Sequence, residues 1–117
     1  MQSRDVILTN KIKEVIHAFV HVPPKLFTTT FSIYLAKKID YDYTYMSNIF
    51  SKTEGKSLEK YLIQEKINRV KQLILKNELS LTEIAKKQLY CNLSYLCSQF
   101  KKVTAIKLSD FRRKNNE

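Results

Sequence analysis

Apolar residues recur along this chain at three- and four-residue spacing, and residues that cap or break helices punctuate the runs. Ile12, Val15, Ile16, Phe19 and Val20 form one stripe and predict a first helix from about Asp5 to His21, which Pro23 and Pro24 stop. Lys25 to Thr30 is a connector with several threonines able to cap the next helix, and Ile33, Leu35 and Ala36 predict a short helix from Phe31 to Ile39. Asp40 and Tyr41 make a turn. Asp42 is placed to cap a third helix, and Gly55, the only glycine, is placed to end it in the left-handed conformation. Ser57 then caps a longer helix through Leu58, Tyr61, Leu62, Ile67, Val70, Leu73 and Ile74, with Lys60, Lys66, Arg69, Lys71 and Lys76 among them, ending near Asn77. Ser80 and Glu83 have the spacing of a capping box, and Leu79 and Ile84 that of a hydrophobic staple, so another helix runs from there to about Gln88. After a turn, Asn92 is the candidate cap of a helix from about Leu93 to Lys102.

The third helix has two unlike faces. Met46, Ile49, Phe50 and Thr53 fall on one side, with Tyr45 beside them, and read as core; Thr44, Ser47, Asn48 and Ser51 fall on the other. That outer face is short, polar and free of acid, whereas a solvated helix face is normally rich in Glu and Lys. Small hydrogen-bonding side chains let a helix approach another polar surface closely.

Composition narrows the class. One Gly and two Pro in 117 residues disfavour turn-rich β architectures and Gly-rich phosphate loops, so the chain is expected to be all-α. Lys and Arg number 21 against 11 Asp and Glu, a formal +10, which points to an anionic partner, nucleic acid before membrane. No apolar run approaches a membrane span and no signal-peptide pattern follows Met1, so a soluble, cytoplasmic chain is expected, with no membrane partner. Cys91 and Cys97, taken to lie within one predicted helix, are read as reduced thiols. His17 and His21 stand one turn apart, but nothing nearby completes a metal site, so they read as helix-end residues. No phosphate loop, metal-ligand set or nucleophile with a positioned base is present: no catalytic residue, metal or cofactor is expected.

The two halves repeat. Ala36-Lys37-Lys38, Tyr41, Tyr45-Met46, Phe50 and Lys52 recur as Ala85-Lys86-Lys87, Tyr90, Tyr95-Leu96, Phe100 and Lys102, with one extra residue in the second turn. Asp42 answers to Asn92, and Thr44, Ser47 and Asn48 to Ser94, Cys97 and Ser98. Two such units cannot make a solenoid, which needs three or more; they make two heads on one chain. Helices held roughly 34 Å apart, one duplex turn, can enter successive major grooves. The tyrosines at 41, 45, 90 and 95 read as core or turn packing rather than as platforms for single-stranded bases.

On these residues the chain resembles the AraC/XylS family of bacterial transcription regulators. The pattern lies in Leu35-Ala36-Lys37-Lys38, Asp42 to Phe50, Gly55 to Tyr61, Leu81 to Ala85, and Phe100 to Thr104 running to Ser109-Asp110-Phe111-Arg112-Arg113, and covers roughly Ile7 to Arg113. The resemblance implies two helix-turn-helix subdomains joined by a long linker helix, about seven helices in all. The boundaries follow as 1–56 for the first helix and first unit, 57–77 for the linker, and 78–117 for the second unit and basic C-terminus. It also implies base-reading positions at Thr44, Ser47 and Asn48, and at Leu93, Ser94, Cys97 and Ser98. Three departures stand out: Asp40 and Leu89 occupy turn positions that are usually glycine, Ala105 and Lys107-Leu108 replace a Gly and a Thr-Pro, and Asn48 and Ser98 stand where many members carry arginine. Leu tolerates a left-handed backbone poorly.

The expected function is sequence-specific binding of double-stranded DNA in transcription regulation. Lys52, Lys101, Lys102, Arg112 and Arg113 are the candidate phosphate partners, with the first unit reading bases and the second contributing more phosphate contact. RNA polymerase is a candidate protein partner. Family members commonly carry a sensing or dimerising domain, so the chain is expected to be either a small stand-alone regulator or the C-terminal part of a larger one. The alternative is a basic helical module that binds any duplex or docks on an acidic protein.

Overall fold

The computed structural model describes residues 3–24 and 29–115. Among these residues seven helices form: α1 (Arg4–His21), α2 (Phe31–Ile39), α3 (Tyr43–Glu54), α4 (Leu58–Lys76), α5 (Leu81–Lys87), α6 (Leu93–Thr104) and α7 (Leu108–Asn115). The chain divides into two compact units, Met1–Ile63 and Gln64–Glu117, with the boundary inside α4. Of the predicted connector, residues 25–28 lie outside the described residues.

The helices begin where short polar side chains catch free backbone N–H groups. Ser3 accepts from the Val6 amide at 3.2 Å, Thr30 from Ile33 at 3.4 Å, Asp42 from Tyr45 at 3.3 Å, Ser57 from Lys60 at 3.1 Å and Asn92 from Tyr95 at 2.8 Å. Ser80 and Glu83 form the reciprocal capping box, with bonds of 3.1 and 2.9 Å. Those bonds hold the Glu83 carboxyl below its ordinary range. Left-handed residues close α2 at Asp40, α3 at Gly55 and α6 at Ala105, with φ of 66°, 77° and 65°. Leu89 is also left-handed, at φ 64°, as is Asn77 at 54°.

In the first unit α1 packs on α2 and α3, burying Ile12, Ile16, Phe19 and Val20 with Leu35, Met46 and Phe50. In the second, α5 and α7 pack on α6, and Ile84, Leu96, Phe100 and Leu108 are buried, as are Ile67, Val70 and Ile74 of α4. Each large side chain removed from water contributes roughly 1.5–3 kcal/mol. The repeat is kept in the packing: Phe50 meets Tyr61 edge to face at 5.3 Å, and Phe100 meets Phe111 edge to face at 5.4 Å.

Three sequence readings are corrected. Thr53 is exposed, and the inward position at the end of α3 is half-buried Glu54, whose carboxylate pairs with Lys13 of α1. Ile33 is 47% exposed, so Leu35 alone anchors α2 fully. Cys91 is the extra residue of the second turn, exposed and ahead of the Asn92 cap rather than inside the helix. The four tyrosines pack at the core and turns as read: Tyr90 is buried, and half-exposed Tyr41, Tyr45 and Tyr95 make ring pairs at the two turns, Tyr41 with Tyr45 and Tyr95 with Tyr90. A helix also forms at α7, where none was placed, because Leu108 and Phe111 dock against α6. His17 and His21 stack at 4.1 Å, the His21 Nδ1–H donating to the His17 carbonyl at 3.0 Å. Among the described residues no cluster of His, Cys, Asp or Glu could hold a metal ion, and no helix is long and apolar enough to cross a membrane.

Candidate nucleic-acid interface

The outward faces of α3 and α6 carry the residues singled out by the repeat. From Tyr41 to Phe50 and from Cys91 to Phe100, burial follows the same order position by position. Met46 and Phe50 are buried, as are Leu96 and Phe100, and these fix the rotation of each helix about its axis. That rotation leaves Thr44 and Asn48 exposed and Ser47 half-buried on α3; on α6 it leaves Ser94 and Ser98 exposed, with Leu93 and Cys97 half-buried. Lys52, Lys101 and Lys102 are exposed in the last turns of the two helices.

In the second unit the structure gathers most of its sequence-predicted residues around one feature. Leu93, Ser94, Cys97, Ser98, Lys101 and Lys102 line an open groove of about 710 Å³, completed by Lys107, Leu108 and Ser109 at the start of α7. Arg112 and Arg113 do not line it: Arg112 is half-buried, and exposed Arg113 pairs with Asp110 at 3.1 Å. An exposed pair of this kind is weak, roughly 0–1 kcal/mol, so it opens readily when another anion approaches. Sequence reasoning missed Lys107 and Ser109 because the repeat was followed only to Lys52 and Lys102. Carried one turn further, it places Ser57 opposite Lys107 and Glu59 opposite Ser109.

Several polar contacts hold these helices in place. The Tyr43 hydroxyl donates to Glu59 at 2.5 Å, tying the start of α3 to the start of α4. Burial first, then the hydrogen bond and charge of Glu59, push the Tyr43 phenol above its ordinary range, so it stays protonated and able to donate. Tyr90 donates to Gln99 Oε1 at 2.5 Å, tying the second turn to α6, and the Lys66 ammonium lies 4.2 Å from the centre of the Tyr90 ring. Burial raises the Tyr90 phenol, with Tyr95 adding to it, and burial lowers the Lys66 ammonium against the opposing effect of Cys91. The exposed tyrosines pair on the surface, with Tyr41 and Tyr45 ring centres 5.6 Å apart.

Comparison with known proteins agrees with the fold. The family model for a helix-turn-helix domain matches residues 35–114. Among solved structures, the C-terminal domain of AraT, a response regulator from Geobacillus stearothermophilus, is similar with a TM-score of 0.79 at 22% identity, over 96% of this chain and 88% of that one. The C-terminal domain of the two-component response regulator YesN from Fusobacterium nucleatum gives a TM-score of 0.70 at 29% identity, over 87% of this chain and 98% of that one. A transcriptional regulator from Chromobacterium violaceum, described as of the AraC-type DNA-binding domain-containing proteins, gives 0.77 at 14% identity, over 95 and 94% of the two chains. None of the curated proteins compared matches the chain in sequence.

Proposed function

Since the chain belongs to the AraC-type helix-turn-helix family of DNA-binding transcription regulators, we propose that it binds double-stranded DNA sequence-specifically, with α3 and α6 entering successive major grooves. The observation that carries this reading is the repeated pair of capped helices, whose buried positions coincide and whose outer faces hold short polar side chains without acid. The major groove presents a distinct donor and acceptor pattern for each base pair, and short side chains let the helix backbone approach it.

On the first helix, Thr44, Ser47 and Asn48 supply the reading atoms, and the Asn48 amide suits adenine, whose N7 accepts and whose N6 amino group donates. On the second, Ser94 and Ser98 offer single hydroxyls, and Leu93 and Cys97 offer apolar contact such as a thymine methyl group prefers. Orientation and most of the affinity come from lysines on phosphates, which carry no sequence information of their own. The test is selection of genomic fragments on the purified protein, followed by sequencing. A shared motif with two parts centred about 10 base pairs apart is expected. Enrichment without any common motif would favour a basic module that binds every duplex alike.

A further inference from the structure

The grooves beside α3 and α6 are built from equivalent positions and filled differently. Leu93, Lys101, Lys102, Lys107 and Ser109 in the second unit correspond to Tyr43, Ser51, Lys52, Ser57 and Glu59 in the first. In the first unit the Tyr43 hydroxyl reaches Glu59 at 2.5 Å, so an aromatic ring and a carboxylate bridge those positions, and the Ser57 oxygen accepts from the Lys60 amide as a helix cap. Lys52 and Glu59 leave these five positions with no net formal charge. In the second unit Leu93 and Ser109 form no such bridge, and the open groove carries Lys101, Lys102 and Lys107, a formal charge of +3 with no acid among its lining residues.

We propose that the groove between α6 and the start of α7 is a seat for a backbone phosphate of DNA, with Lys107 as a binding residue supplied from outside the recognition helix. The inference rests on the DNA-binding reading above and deepens it. Ammonium groups bind phosphate as mobile point charges, and Ser109 can add a hydroxyl donor. Leu93 and Leu108 form apolar walls, which screen the charges less than open water does. The Tyr43–Glu59 bridge denies the first unit an equivalent seat, because it places a carboxylate where the phosphate would lie.

Two changes write the first unit's residues into the second: Lys107→Ser, and the pair Leu93→Tyr with Ser109→Glu. Each is titrated against a duplex of scrambled sequence over a salt series, and against a selected target duplex. For Lys107→Ser the slope of log affinity against log salt falls by about 0.9, the loss of one neutralised phosphate. The paired variant falls at least as far, and for Lys107→Ser the ratio of target to scrambled affinity is unchanged. An unaltered slope for Lys107→Ser overturns the seat. So does a kept slope with lost target preference, which would make Lys107 a base reader. Lys107→Gln repeats the measurement where Lys107→Ser shifts the melting temperature. Titration of the free protein with inorganic phosphate, followed by amide NMR, separates the sources. No saturable shift at Lys107 and Ser109 supports backbone phosphate, whereas a saturable shift with an unaltered DNA slope assigns the groove to a soluble anion and overturns the proposal. Because the slope is read on scrambled DNA, a chain without sequence preference leaves the seat standing. A chain with a clear motif and an unaltered slope removes the seat alone.

Discussion

The first and second helix-turn-helix units share their inward residues and part company outside. Met46 and Leu96 occupy one equivalent position, and Phe50 and Phe100 the next, each with no exposed surface, and each Phe meets an aromatic ring edge to face. On the outside, Asn48 corresponds to Ser98, Ser51 to Lys101, and the bridged pair Tyr43 and Glu59 to Leu93 and Ser109, which form no bridge. Packing tolerates little change inside, because a lost methylene leaves a cavity, whereas an exposed side chain is constrained only by what it touches. One scaffold used twice can therefore present two chemistries: short amide and hydroxyl groups on α3, and a lysine-lined groove beside α6.

The largest effect tests the shared half of that comparison. Phe50→Ala and Phe100→Ala each remove a fully buried ring and are expected to cost about 3–5 kcal/mol in the unit that contains them. Urea denaturation gives the loss, and amide hydrogen exchange shows in which unit it falls. Tolerance of one change but not the other would mean that the two cores are not equivalent.

A smaller effect concerns the residue that ends each of α3 and α6. Gly55 and Ala105 hold the same left-handed position, at φ 77° and 65°, and a Cβ built on Gly55 meets nothing within 4 Å. The difference between them is therefore backbone strain rather than collision. Gly55→Ala is expected to destabilise by about 1 kcal/mol, and Ala105→Gly to stabilise by up to about the same amount. Paired thermal melts check both signs, and two shifts in the same direction would contradict the equivalence.

The smallest effect marks a difference between the units. Burial holds Lys66 below its ordinary value, so the unfolded chain binds that proton more tightly than the folded one. Stability then rises as pH climbs through the lowered value toward the ordinary 10.5. Tyr90 and Tyr43, both held above the ordinary 10.0, subtract stability only from that pH upward. Lys66→Met is expected to flatten the rise below about pH 10, the ordinary tyrosine value, in urea midpoints measured across pH. A rise of the same size in the variant would remove Lys66 as its cause.

Local chemistry made most of the helix boundaries legible. A cap needs one side chain and its own next turn, so Asp42, Ser80 with Glu83, and Asn92 could be placed from sequence, and α2 was bounded to the residue. What escaped depends on partners distant in sequence. Glu54 turns inward because Lys13 of α1 is there to meet it, which spacing within α3 cannot reveal. α7 is mostly polar and becomes a helix by docking Leu108 and Phe111. Of the candidate interface, the faces of α3 and α6 were visible in the repeat, while the groove with Lys107 needed the fold that brings α7 beside α6.

The division between a reading helix and an anchoring groove is tested most directly by replacing Ser47 and Asn48 together with Ala and, in a second variant, Ser94 and Ser98 together with Ala. Affinity is then measured on a selected target and on its scrambled counterpart. Losing Ser47 and Asn48 should cost about 1–3 kcal/mol of preference per base contact, with affinity for scrambled DNA and its salt slope nearly unchanged, while losing Ser94 and Ser98 should cost less preference. Unchanged discrimination in the first variant, or a greater loss in the second, would contradict the assignment of reading to α3.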